Sequence, residues 1–111
     1  MGRKRIYIKY NHPYSFVRVI EAIMADYTRR ERTVAFSSEA DDVIAEYQRI
    51  NNIIDDAVTM VEPELAVVIL HDVINHIGYE RSRAVVFAAK RTYYRRKAKL
   101  IHDIGAALHY T

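Results

Sequence analysis

The stretch KRTYYRRKAKLIHDIGAAL, residues 90–108, is basic and aromatic in its first half and apolar in its second. On a helical wheel with about 100° per residue, one side carries the apolar residues Tyr94, Ala98, Ile101, Ile104 and Leu108, with Tyr93, Leu100 and Ala107 at its edge. The other side carries Arg91, Thr92, Arg95, Arg96 and Lys99. We therefore expect a helix over about 91–109 that is anchored in the core on one side and exposes cations on the other. Lys97 departs from this pattern by facing inward, where its aliphatic stem can still be buried.

A short amphipathic segment, Glu80 to Ala88, precedes this helix. Arg81 and Arg83 fall on its polar side, and the run 85–87, Val-Val-Phe, is expected inside. Two helices joined by a tight turn, with a basic second helix, are typical of a helix-turn-helix. The sequence predicts such a motif at about residues 79–109.

The residue types on this helix suit DNA. Arginine pairs bidentately with guanine, threonine meets a thymine methyl group or a phosphate, and lysine neutralises phosphate charge. A tyrosine hydroxyl also donates to phosphate. The predicted DNA-binding residues are Arg91, Thr92, Tyr93, Arg95, Arg96 and Lys99, with Lys90, Arg81 and Arg83 as phosphate contacts.

The run Arg91-Thr92-Tyr93-Tyr94-Arg95-Arg96-Lys97-Ala98 resembles the motif of phage-encoded late-gene transcription regulators of the ArpU and RinA type. Residues 69–79 resemble the helix that leads into that motif, and residues 53–62 match more loosely. The resemblance covers about half of the 111-residue chain. It implies a C-terminal helix-turn-helix similar to the fourth region of sigma factors, and a sequence-specific DNA-binding regulator that activates phage or prophage late genes in the host cytoplasm.

The rest of the chain also reads as helical. Only three glycines and two prolines interrupt 111 residues, and half of the residues are apolar. Apolar residues recur at three and four positions over about 14–34, 39–61 and 63–77. We expect Asn51 and Asn52 to weaken the second of these helices and Gly78 to cap the third. We expect an all-α fold: a small bundle of four to five helices that forms a single domain over 13–111.

Residues 1–12 read as a basic N-terminal arm. The arm carries Arg3, Lys4, Arg5 and Lys9 interleaved with tyrosines. These cations are candidate DNA contacts, because basic arms enter the minor groove in other DNA-binding domains; packing of the arm onto the bundle explains the pattern equally well. Residues 10–79 hold five arginines against twelve acidic residues, whereas residues 80–111 hold eight lysines and arginines against two. This segregation favours an anionic partner at the ends of the chain.

Other classes of function find little support. The chain has no cysteine, and its longest apolar run, residues 65–70, is too short to cross a membrane. His71 and His76 lack a third ligand at metal spacing, and the adjacent pairs 41–42 and 55–56 diverge on a helix rather than forming paired carboxylates. We expect a cytoplasmic protein without membrane, metal or cofactor, and not an enzyme.

Two alternatives share the same features. A small terminase-type DNA-packaging subunit also uses a helix-turn-helix, and a protein-interaction factor would turn the basic face toward an acidic partner such as RNA polymerase. The leading expectation is a regulator that binds double-stranded DNA as a homodimer, since dimers match palindromic sites. RNA polymerase is then an additional partner.

Overall fold

A computed structural model describes residues 12–37, 40–60 and 62–109. Within these ranges the chain forms five α-helices and two short 3-10 turns. The helices are α1 (Tyr14–Ala25), α2 (Tyr27–Phe36), α3 (Asp41–Met60), α4 (Pro63–Ile74) and α5 (Lys90–Ala107). The 3-10 turns, Tyr79–Arg81 and Arg83–Val86, connect α4 to α5. The expected all-α bundle is confirmed.

The core lies where α1, α3 and α4 meet α5. Its buried apolar residues are Ile20, Met24, Ile54, Val58, Leu65, Ala66, Val68, Ile69, Val73, Ala84, Tyr93, Leu100, Ile101 and Ile104. The shorter α2 packs mainly along α3, so that the two form a helical hairpin beside this core. Among the described residues, no helix is both long and apolar enough to cross a membrane.

The helix expected over 14–34 is in fact two helices that meet at Asp26. At this junction the carbonyl oxygen of Ile23 accepts a hydrogen bond of 2.5 Å from the guanidinium of Arg30. Asn51 of α3 binds the same guanidinium at 2.8 Å and the carbonyl of Tyr27 at 3.1 Å. A buried arginine therefore binds a backbone carbonyl at the junction, and Asn51 connects α3 to α2 instead of weakening α3.

Helix α4 ends earlier than its apolar pattern suggests. His76, with φ of 56°, adopts the left-handed conformation that glycine was expected to supply at position 78. The amide of Ile77 donates to the carbonyl of Asp72 at 2.8 Å, which closes the helix end. Gly78 has an extended backbone and is not the cap.

The segment before α5 is not the α-helix expected over 80–88. Ser82 has an extended backbone and divides the segment into two 3-10 turns, and its hydroxyl accepts from the amide of Ala84 at 3.0 Å. Ala84 is the buried apolar residue here, whereas Val86 and Phe87, expected inside, are exposed. Within the described residues the layout of two consecutive α-helices that defines a helix-turn-helix is therefore not confirmed at 79–109.

Candidate nucleic-acid interface

Helix α5 is held in the core by its buried side. Leu100, Ile101 and Ile104 are buried as expected. Tyr93 is 1% exposed and Tyr94 is 41% exposed, so the buried side is rotated from Tyr94 toward Tyr93. This rotation decides which polar residues of the first turns remain accessible.

Tyr93 was expected to donate to phosphate, but the structure buries its hydroxyl among the helices. Its hydroxyl donates to the buried carboxylate of Asp72 on α4 at 2.7 Å. Burial, followed by this hydrogen bond, raises the pKa of Tyr93. The neutral phenol thus links α5 to α4 and does not reach solvent.

Arg91, Arg95 and Lys99 lie four residues apart, on one stripe of α5. Arg91 and Arg95 are exposed. Lys99 is partly exposed and binds Asp103, one turn further along, at 2.8 Å. These three residues are called the cationic stripe, and Arg91 and Arg95 are its exposed members.

Arg96 belongs to the packing of the helices, although it was expected on the DNA face. Its side chain is 14% exposed, and its Nη2 lies 2.6 Å from the carboxylate of Glu62. Its Nε is buried and has no hydrogen-bond partner. Glu62 itself has φ of 48° and begins α4, so this ion pair joins the start of α4 to α5.

Lys97 faces inward, as the sequence suggested. Its ammonium lies 3.0 Å from the carboxylate of Glu21 on α1, and both side chains are partly buried. The ion pair joins α5 to α1. Of these two ion-paired cations, Arg96 and Lys97, only Arg96 had been expected on the DNA face.

The predicted phosphate contacts flank the start of α5. Arg81 and Arg83 are exposed in the 3-10 turns. Lys90 is also exposed and lies 2.8 Å from Glu80, which lowers the pKa of that carboxyl. Thr92 is partly buried in a groove that also contains Pro63 and Phe87.

The first turn of α5 offers backbone donors beside these cations. Ala89 caps the helix without a side-chain hydrogen bond, and no acidic residue lies in the first turn. The first amides of a helix have no partner within it and carry partial positive charge. The start of α5 therefore adds to the positive potential of the cationic stripe.

Three features of this surface were not anticipated from the sequence. Glu62 and Glu21 neutralise two cations of α5 from other helices, and Val86 and Phe87 project beside the start of α5. The ion pairs join residues far apart in the chain, so no local pattern indicates them. The arm residues Arg3, Lys4, Arg5 and Lys9 lie outside the described residues.

Metal binding has no support in this part of the molecule. Among the described residues, no three histidine or acidic side chains converge in an arrangement that would hold a metal ion.

Comparison of the chain with protein-family models, with curated proteins and with solved structures gave no significant match.

Proposed function

We propose that the chain is a sequence-specific DNA-binding transcriptional regulator, a late-gene activator of a phage or prophage. The observation that supports this most is the cationic stripe. Arg91, Arg95 and Lys99 line one accessible side of a helix whose opposite side is fixed in the core. The resemblance of residues 91–98 to the regulator motif points to the same function.

In this proposal the first half of α5 enters the major groove, which is wide enough for an α-helix. Arg91 and Arg95 are then the base-reading side chains, since arginine recognises guanine bidentately. Arg81, Arg83 and Lys90 neutralise phosphates along the rim. Arg96 acts indirectly, because its ion pair with Glu62 sets the angle at which α5 is presented.

The test is a gel-shift titration of Arg91→Ala and Arg95→Ala against duplexes selected from a random pool by the parent protein. Loss of a bidentate contact to guanine costs about 1–3 kcal/mol, and loss of a phosphate contact lowers the salt dependence by about one counterion. Each variant should therefore bind more weakly than the parent. Thermal unfolding should change little, because substitutions of exposed side chains usually alter stability by less than about 0.5 kcal/mol.

Arg49→Ala is the matched control. Arg49 is an exposed arginine of α3 that pairs with Glu46 at 2.8 Å, so its loss removes the same charge from another surface. This variant should bind like the parent. Equal binding by Arg91→Ala, Arg95→Ala and the parent, or failure of the pool to yield any bound duplex, would contradict the proposal.

We extend the proposal to a homodimer that also contacts RNA polymerase. The exposed acidic residues Asp41, Asp42 and Asp56 of α3 suit a basic protein partner better than DNA. Light scattering of the full chain should give the mass of a dimer. A ring of many copies would instead favour the DNA-packaging alternative.

A further inference from the structure

Three consecutive apolar side chains project from the segment between α4 and α5. Val85 is 45% exposed, Val86 is 86% exposed and Phe87 is 55% exposed. These three residues are called the apolar knuckle. A single exposed apolar side chain is common on protein surfaces. Several contiguous ones beside a candidate interface indicate a binding surface.

The knuckle is held in place from both sides. Ala84 is fully buried, and its carbonyl accepts from the amides of Phe87 at 2.9 Å and Ala88 at 2.8 Å. The hydroxyl of Tyr79 donates to the carbonyl of Ala88 at 2.6 Å. A segment fixed in this way loses little conformational entropy when its projecting side chains bind a partner.

Cations flank the knuckle in the sequence. Arg81 and Arg83 precede it and Lys90 and Arg91 follow it, while Glu80 is paired with Lys90. The core of a protein interface is usually depleted of charge. DNA instead combines dense phosphate charge with apolar groups in its groove. Apolar side chains beside cations therefore suit DNA better than a protein partner. The groove beside Phe87 also contains two carboxylates: Glu62 is engaged by Arg96, and Glu64 lies in the first turn of α4.

The apolar group that the major groove displays is the C5-methyl of thymine, and phenylalanine is one of the residues that contacts it. We propose that Val86 and Phe87 read thymine methyl groups next to the bases contacted by α5. The inference rests on the proposed function, because it assumes that the start of α5 enters the major groove. It adds a specificity that the cationic stripe lacks, since arginine selects guanine.

The experiment exploits uracil, which pairs like thymine and lacks the methyl group. Duplexes selected by the parent protein are prepared with thymine or with uracil at each selected thymine, and affinities are measured for the parent and for Phe87→Ala. Losing one buried methyl should weaken binding of the parent by about fourfold per contact. Phe87→Ala should bind the thymine duplex more weakly than the parent does. Its affinity should change little when uracil replaces thymine.

Phe36→Ala is the matched control. Phe36 is 87% exposed at the end of α2, on a helix that packs against α1 and α3, so the change removes the same side chain elsewhere. This variant should remain as sensitive to uracil as the parent. Val86→Ala provides a second test with a smaller change, expected to reduce the sensitivity to uracil in part.

The outcomes separate the two proposals. If no duplex is bound, both fail. If duplexes are bound but uracil weakens the parent and Phe87→Ala equally, or weakens neither, the methyl contact is wrong while DNA binding stands. If the apolar knuckle faces a protein partner instead, replacing thymine by uracil should weaken DNA binding by neither the parent nor Phe87→Ala.

Discussion

Tyr93 and Tyr94 are neighbours in sequence that lie in different surroundings. Their rings meet edge to face with centroids 5.1 Å apart, and the ring of Tyr79 lies 5.2 Å from that of Tyr93. Tyr93 donates a hydrogen bond to the buried carboxylate of Asp72, whereas Tyr94 is exposed. One residue holds α5 in place and the other borders the cationic stripe.

Tyr93→Phe should destabilise the protein. The change leaves the ring in place and removes the hydroxyl that binds the buried Asp72, and an unpaired buried group costs about 1–3 kcal/mol. The free energy of unfolding in urea measures the loss. Tyr94→Phe is the control and should be close to neutral; a result in which both variants unfold like the parent would contradict the role given to Tyr93.

Asn51→Ala should lower the free energy of unfolding more than a substitution at an exposed helix position does. The amide of Asn51 binds both the guanidinium of Arg30 and the carbonyl of Tyr27, and Arg30 is 4% exposed. Leaving a buried charge without its partner costs about 3–5 kcal/mol when no other group compensates. Because Arg30 keeps its contacts to Ile23 and Asp26, we expect a loss of about 2 kcal/mol, measured in urea, with the exposed Asn52→Ala as the neutral comparison.

The sequence predicted the exposure of some side chains of the candidate site but not of others. Arg91 and Arg95 are exposed on α5 as expected, but Tyr93 and Arg96 are not available as surface contacts. A helical wheel fixes relative angles and leaves the absolute rotation to packing. Here the carboxylate of Asp72 draws Tyr93 inward, and such a long-range polar contact has no local signature.

Among the elements, the packing of α1 against α5 depends on Gly105. A Cβ at this position would overlap the ring of Phe16, whereas one at Gly78 would meet only Glu80 Oε1, at 3.9 Å. Both glycines have negative φ, so conformation does not require them. Gly105 therefore permits close approach of two helices.

Gly105→Ala should lower stability despite the better helix propensity of alanine. The propensity gain is about 1 kcal/mol, and forcing a methyl group into a filled space costs about 1–3 kcal/mol. Thermal unfolding should show a small decrease in Tm for this variant. Adding Phe16→Leu should restore part of the loss, and Gly78→Ala should leave Tm unchanged; an increase in Tm for Gly105→Ala alone would contradict the argument.

The helices themselves were largely predictable, and the segments between them were not. The periodic stripes located α3 and α5 to within two residues at each end. The break at Asp26 was missed because the Arg30–Asn51 contact depends on the tertiary fold. The α-helix predicted over 80–88 was wrong, because an amphipathic pattern of this length also fits 3-10 turns, and Ser82 divides the segment into two of them.

The whole molecule should lose stability in alkaline solution. Burial, followed by a hydrogen bond to a carboxylate, raises the pKa of both Tyr27 and Tyr93 above the ordinary value of 10.0. Below pH 10.0 both tyrosine hydroxyls are protonated in the folded and in the unfolded protein, so their hydrogen bonds contribute fully to stability. Above it the unfolded chain releases protons that the folded protein retains, so the free energy of unfolding falls as pH rises.

Urea unfolding at about pH 9 and about pH 11 tests this expectation. The parent should lose more stability between the two values than the double variant Tyr27→Phe/Tyr93→Phe, which lacks both ionisable hydroxyls. The comparison cancels contributions from lysines, which both proteins share. Equal losses in the two proteins would contradict a raised pKa at these tyrosines.

Helix α3 places an acidic turn far from the basic half of α5. Its 20 residues span about 30 Å. Asp41 and Asp42 lie in its first turn, and just beyond its last turn Glu62 meets Arg96 of α5. A polyanion repels the carboxylates of that first turn and attracts the cationic stripe of α5. Under the proposed function, molecules that diffuse toward DNA are therefore turned on approach, with α5 leading and Asp41 and Asp42 pointing back into solution.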